Sequence, residues 1–267
     1  MKRNVLLLSV ILVGAFLAFV ACSDNSTDSN LTEGDPNDPN FIQAKSLAEA
    51  YVDTLFESFE MVFGYLSFDG SGPLSAVGDS FNINYDQETC WWEIYASFDS
   101  TGFSFVFVDS GRFYDGRRCQ MLPDSLTTTQ IEYRAYLDLS AYADSGSLVV
   151  DAEEEALVTG IQSDQVVVNA SNSTFMDMDL GFLAMTVDYN GTITDLTFNR
   201  VDLDGEPPVY PMSGSAEVAM TIEGSSDQGS GSGSWMVDVT FYEDHYHARA
   251  ESGDNYWEWD VYYTGPA

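Results

Sequence analysis

From Gln130 to Leu139 the chain alternates strictly. Ile131, Tyr133, Ala135, Leu137 and Leu139 occupy one set of positions, and Gln130, Glu132, Arg134, Tyr136 and Asp138 the other. A period of two puts the two sets on opposite sides of an extended chain, so the segment reads as a strand with one dry face and one wet face. The same pattern recurs at Phe81, Ile83 and Tyr85, and again at Trp235, Val237, Val239 and Phe241, whose neighbours Met236, Asp238, Thr240 and Tyr242 form the other set. Sheets wetted on one side are built by antiparallel pairing.

Turn chemistry divides these runs. Asp99-Ser100-Thr101-Gly102, Asp109-Ser110-Gly111, Asp115-Gly116, Asp144-Ser145-Gly146, Asn190-Gly191, Asp204-Gly205 and Gly253-Asp254-Asn255 all carry residues suited to tight hairpin turns. About a dozen strands follow from that punctuation, over residues 79–263. The fold class is mainly all-β: an antiparallel meander forming a curved sheet or a barrel. Ser225 to Ser234 reads as a flexible hairpin loop, and Asp151-Ala152-Glu153-Glu154-Glu155 as a charged hairpin tip. Residues 41–267 form one domain. A membrane-spanning barrel is disfavoured, because the outward positions carry Asp, Glu and Asn rather than an apolar band.

One helix precedes the strands. Leu47, Tyr51, Leu55, Phe59 and Val62 recur every three or four residues, the spacing of a single helical stripe, and Lys45, Glu49, Asp53, Glu57 and Glu60 fall largely elsewhere. Asn40 with Gln43 three residues on predicts the N-cap, and Gly64 the end. The helix is expected over about residues 41–64, packed on the sheet.

The first residues are of another kind. Lys2 and Arg3 precede an apolar run from Val5 to Ala21, which ends Phe19-Val20-Ala21-Cys22. A basic start, a short apolar run and a small residue before cysteine resemble a bacterial lipoprotein signal peptide with its lipobox. The resemblance implies that residues 1–21 are removed and that Cys22 is lipidated, which holds the chain to a membrane of the bacterial cell envelope. Three acyl chains exceed what stable anchoring requires. Ser23, rather than Asp, after the cysteine favours the outer membrane over the inner. Residues 22–40 then hold five acids, no base and one large apolar residue, Leu31. They read as a flexible acidic tether of roughly 20–25 Å.

Charge removes one class of partner. The chain has 9 Lys and Arg against 43 Asp and Glu, a formal net charge of −34, so no basic surface exists for nucleic acid. Catalytic parts are equally scarce. There is no G-x-S-x-G elbow, and no lysine follows the glycines of Gly229-Ser230-Gly231-Ser232-Gly233, as a phosphate loop would need. No motif calls for a cofactor.

With Cys22 lipidated, Cys90 and Cys119 remain, and an even pair in an oxidising compartment reads as a disulfide. The only histidines are His245 and His247. Glu243, His245 and His247 share a strand parity and form a weak candidate for zinc, opposed by Arg249 at the end of the row. Trp91 and Trp92 are adjacent and must point to opposite faces. Trp257, Trp259, Val261 and Tyr263 share one face of the last strand, and Tyr256 and Tyr262 the other. Trp91, Tyr256 and Tyr262 are therefore the aromatic candidates for facing a ligand.

These features lead to a membrane-anchored, non-enzymatic binding or structural module. Its order, helix then meander, is similar at the level of architecture to the lipoprotein carriers of the LolA/LolB type. That likeness implies a curved sheet holding a lipid or another hydrophobic ligand on its concave face. A glycan- or peptide-binding role, or a glycan hydrolase using two carboxylates, is the second alternative.

Overall fold

The computed structural model describes residues 32–64, 82–121, 126–200, 209–226 and 229–263, without the side chains of 57–64, 82 and 83. The signal-like segment, Cys22, most of the tether, Asp204-Gly205 and the side chains of Phe59 and Val62 lie outside the described residues.

Among the described residues one long helix, α1 (Pro39–Gly64), lies with thirteen strands. They are β1 (Thr32–Glu33), β2 (Asn82–Tyr85), β3 (Trp92–Ser100), β4 (Phe103–Asp115), β5 (Arg118–Gln120), β6 (Gln130–Ala143), β7 (Gly146–Thr159), β8 (Gln165–Asp179), β9 (Leu183–Asn199), β10 (Ser213–Ser226), β11 (Gly229–Tyr242), β12 (His245–Ser252) and β13 (Asn255–Tyr262). All belong to one sheet, whose order β1-β13-β12-β11-β10-β9-β8-β7-β6-β4-β3-β2 follows the chain except at β1, with β5 beside β4. The sheet is curved and stays open rather than closing into a barrel. Every pairing is antiparallel apart from that of β1 with β13.

Alternation and register together give the sheet one continuous inner face. Ala135 pairs with Glu154, Glu154 with Asn172, Asn172 with Gly191, Gly191 with Val218, Val218 with Val237, Val237 with Ala250 and Ala250 with Trp257. All these residues point to the same side. Bulges at Val168/Ala170 and at Ser213/Ser215 interrupt the ladders of β8 and β10 with β9, and bulges increase the local coil of a sheet.

The helix covers the inner side at the β11–β12 flank. Among its described side chains Ala44, Ala48, Tyr51, Val52 and Leu55 are buried, and it lies against β11 and β12. Leu47, placed on the stripe by its spacing, sits at the margin instead. The two alanines at the centre let the helix backbone approach the sheet closely. Phe41 packs on Trp257 and Trp259, and Phe56 on Phe241, Tyr210 and Tyr263.

Three expectations are corrected here. The helix starts at Pro39, and its cap is Asp38 rather than Asn40: Asp38 Oδ1 accepts the Asn40 amide at 2.9 Å. Proline suits the first helical position, where an N–H would have no partner. Asp38→Ala is expected to cost about 1 kcal/mol in urea denaturation. The tether also ends sooner than residue 40, because Thr32 and Gly34 donate to the carbonyls of Asp254 and Tyr256 at 2.8 and 2.9 Å. Finally, Ser225 to Ser234 is no loose loop. Apart from its tip at 227–228, outside the described residues, it extends the β10–β11 hairpin, with Gly224 opposite Gly231.

Candidate functional site

The residues singled out from the sequence do not converge. Cys90 and Cys119 are joined as a disulfide, with Cα atoms 6.1 Å apart. Trp91 lies on the outer face, where the guanidinium groups of Arg112 and Arg134 sit 4.7 and 4.9 Å from its ring centre. Trp92 turns to the inner side beside Tyr85 and packs at the edge of the core. Tyr256 and Tyr262 are on the outer face, six residues apart on β13 and so about 20 Å from each other. Arg249 covers Tyr256 at 4.6 Å, whereas Tyr262 is exposed and stacks on His245, which stacks in turn on Tyr242.

The zinc candidate separates as well. Glu243 belongs to the two-residue turn between β11 and β12 and leaves the row it was expected to share. His245 Nδ1 is 2.6 Å from Asp244, and His247 Nδ1 is 2.9 Å from Asp260. Among the described residues no group of three or more His, Cys, Asp or Glu is placed to hold a metal ion.

Polar residues do converge on the inner face, at a place the sequence reading missed. Asp151 to Glu155 is not a hairpin tip but the middle of β7. Alternation sends Asp151, Glu153 and Glu155 outward and Glu154 inward, between Ala135 of β6 and Asn172 of β8. Ala152 and Ala156 flank it along its own strand, Tyr133 and Leu137 lie diagonally on β6, and Ala170 and Thr174 lie diagonally on β8. The carboxylate is therefore set among mostly apolar side chains.

Asn190-Gly191, read as a turn, is likewise mid-strand in β9. Here glycine makes room. A Cβ on Gly191 would lie 2.3 Å from Asn172 Oδ1 and 3.1 Å from the Tyr51 hydroxyl, which reaches down from α1. Tyr189, two residues along the same face, meets Tyr51 edge-on at 5.8 Å between ring centres. The Tyr189 hydroxyl reaches both Tyr51 and Asn172, so the three side chains form a small buried polar cluster, although the contacts of the Tyr51 hydroxyl and Asn172 Oδ1 are poorly aligned.

Electrostatics follow from burial. Loss of solvent, reinforced by the charge of Asp109 on β4, pushes the Glu154 carboxyl up to about 7. Burial first, and the Glu154 charge among the further causes, raises both Tyr51 and Tyr189. The alternation of Val150, Ala152, Ala156 and Val158 was the available signal that Glu154 points inward, but the density of acids around it masked that signal.

A pH-dependent stability follows. Between pH 4.5 and about 7 the folded chain holds a proton on Glu154 that the unfolded chain has lost, so this group's contribution to stability falls as pH rises through that window. Glu154→Gln removes the ionisable group. It is expected to stabilise the protein by about 1–3 kcal/mol at pH 8 and by little at pH 5. Urea denaturation at the two pH values measures the difference.

No protein-family model, curated protein or solved structure matches the chain. The chemistry of its own surfaces carries the functional reading.

Proposed function

We propose that this protein is a lipid-anchored, non-enzymatic binding module of the bacterial envelope, and that it holds the apolar chain of an amphiphile on the uncovered part of its inner face. The observation that carries this reading is the pair Phe98 and Phe103, which face inward yet are 52% and 38% exposed. Phe98 pairs with Phe105, and Phe105 with Leu139; Ala96 pairs with Phe107, and Phe107 with Leu137. These residues form an apolar strip across β3, β4 and β6, on the opposite flank of the sheet from the helix contacts on β11 and β12. Along the strands the strip gives way to Asp109 on β4 and Glu154 on β7, so a greasy surface leads to a polar one. That succession suits a molecule with a tail and a head. The lipobox-like Val20-Ala21-Cys22 supports the anchor.

Photo-crosslinking of the full chain in non-ionic detergent with a long-chain alkyl diazirine probe tests the binding. Saturable labelling is expected on peptides of β3, β4 and β6, and Phe98→Ser with Phe103→Ser should reduce it at least fivefold. Labelling that is unsaturable, or indifferent to those two changes, overturns the reading. Incorporation of radioactive palmitate that persists in Cys22→Ser would overturn the anchor.

A further inference from the structure

We infer that the open edge of β13 at Glu258–Tyr262 is a docking site for an extended, arginine-bearing segment of a partner protein, which adds a strand there and lays a guanidinium over Tyr262. This edge lies at the opposite end of the strand order from β3 and β4, so the site is additional to the apolar strip described above.

The backbone supplies the first half of the site. Tyr263 donates to the Asp244 carbonyl, and the residues that bond β12 alternate with those that do not. Tyr256, Glu258, Asp260 and Tyr262 therefore turn their N–H and C=O groups away from β12. β1 takes up the first of them, through the Gly34 amide on the Tyr256 carbonyl at 2.9 Å. There the chain leaves the edge for α1, and Phe41 packs on Trp257 and Trp259 from the inner side. Among the described residues nothing pairs with the backbone of Glu258, Asp260 or Tyr262. Free groups along an edge are a template for another strand, and this edge already accepts one in its first positions.

The side chains supply the second half. On the outer face the aromatic rings recur with an arginine held between acids. Arg249 lies opposite Glu258 and diagonal to Tyr256; it covers that ring at 4.6 Å and pairs with Glu251 at 2.8 Å and with Glu258 at 3.3 Å. Over Trp91, Arg112 is held by Glu132 and Arg134 by Glu155. Tyr262 has the acids without the arginine. Its ring rests on His245, whose other partner is Asp244, and the residue is 65% exposed at the edge. Asp260 and Glu258 follow on the same face of β13. One oxygen of each is engaged from the β12 side, Glu258 Oε1 by Arg249 and Asp260 Oδ1 by His247. Among the described residues no guanidinium covers Tyr262. An arginine opposite Asp260 on an added strand would meet Asp260 as Arg249 meets Glu258, and Tyr262 as Arg249 meets Tyr256. A planar guanidinium stacks on a ring while its N–H groups fork to carboxylates, which an ammonium does less well.

Charge selects the occupant. Two copies joined through this edge would set Glu258 and Asp260 against the same acids, and like charges across a strand pair are destabilising. An acidic segment meets the same repulsion from a chain of net charge −34. A basic strand gains from both the backbone and the acids.

Fluorescence anisotropy of the full chain in non-ionic detergent, at about 0.15 M salt to screen exposed charge, tests the site. The probe is a short labelled peptide that alternates valine with arginine. Saturable binding is expected, at least threefold tighter than for the lysine counterpart, with the glutamate counterpart silent. N-methylation of all the arginine nitrogens, or of all the valine nitrogens, removes the donors on one side of the added strand; one of the two should weaken binding at least tenfold. Glu258→Gln with Asp260→Asn should weaken it at least tenfold, and Tyr262→Ser at least threefold. Asp151→Asn with Glu153→Gln removes the same charge from the outer face of β7 and should leave binding unchanged. Circular dichroism and thermal unfolding verify the fold of each variant. In the parent chain, hydrogen exchange at Glu258, Asp260 and Tyr262 should slow when the peptide saturates. Binding that survives the β13 variants, falls equally with the β7 pair or ignores both methylations overturns the site, as does the absence of saturable binding.

Discussion

Trp257→Ala should destabilise the protein by about 3–5 kcal/mol, the range for emptying a large aromatic site in a well-packed interior. Trp257 is 3% exposed and joins three pieces of chain. It belongs to β13, it stacks on Phe41 in the first turns of α1 at 5.8 Å, and its indole N–H donates to the Asp35 carbonyl at 3.2 Å. Gly34 lies against the ring so closely that a Cβ there would be 2.2 Å from the indole nitrogen. Truncation therefore removes core volume, an aromatic pair and the hydrogen bond that holds the chain's entry into the helix. Urea denaturation reads the global loss. Hydrogen exchange at Thr32 and Gly34, whose amides bond to the β13 side, should accelerate well beyond the global change. Trp257→Phe, which restores a ring but not the N–H, should recover most of the stability. A loss below about 1 kcal/mol for the alanine variant would mean that the helix and β13 are held by other contacts.

Reduction of Cys90–Cys119, or Cys119→Ser, should cost about 3–4 kcal/mol, as the chain-entropy model gives for a loop of this length. The two cysteines are 29 positions apart, and the closed loop contains β3, β4 and the start of β5. This is the lightly packed flank of the sheet. Of the residues in β3, β4 and β5, only Ile94, Ala96 and Phe113 are buried apolar side chains, whereas β8 to β11 contribute a dense set from Val166 to Phe241. The crosslink thus sits where hydrophobic burial is thinnest. On reduction, amide exchange should rise first in β3 and β4 and last in β9 and β10. Uniform acceleration across the sheet would contradict a local role.

Much of this architecture can be read from side-chain spacing alone. The alternation in β6 and β11 fixed which residues face inward, and Asp144-Ser145, Gly253-Asp254 and Thr101-Gly102 are two-residue turns as their chemistry requires. The misreadings have a common physical origin. Asp109-Ser110-Gly111 and Asn190-Gly191 have turn composition, yet both lie within strands; at Gly191 the glycine admits Asn172 and Tyr51, and such a glycine looks the same in sequence as one that reverses the chain. The acids of β7 look like a solvated tip until their alternation is counted. Thr32–Glu33 pairs with residues more than two hundred positions away, and no local pattern announces such a contact. The polar cluster on the inner face stayed hidden for the same reason: Tyr51, Glu154, Asn172 and Tyr189 come from α1, β7, β8 and β9, and only packing and register bring them together.

The sequential strand order also bears on how the chain comes to be assembled. From β2 to β13 each strand after the first finds a partner that has already emerged before it, so pairing can advance hairpin by hairpin in the direction of synthesis with short loops to close. The N-terminal segment is the exception. Thr32 and Phe41 wait for Asn255 and Trp257, and their seat is supplied only when the last strand arrives. Completion of the C-terminus therefore acts as the latch, and a chain that stops short of β13 leaves the first turns of its helix without the two tryptophans on which Phe41 packs.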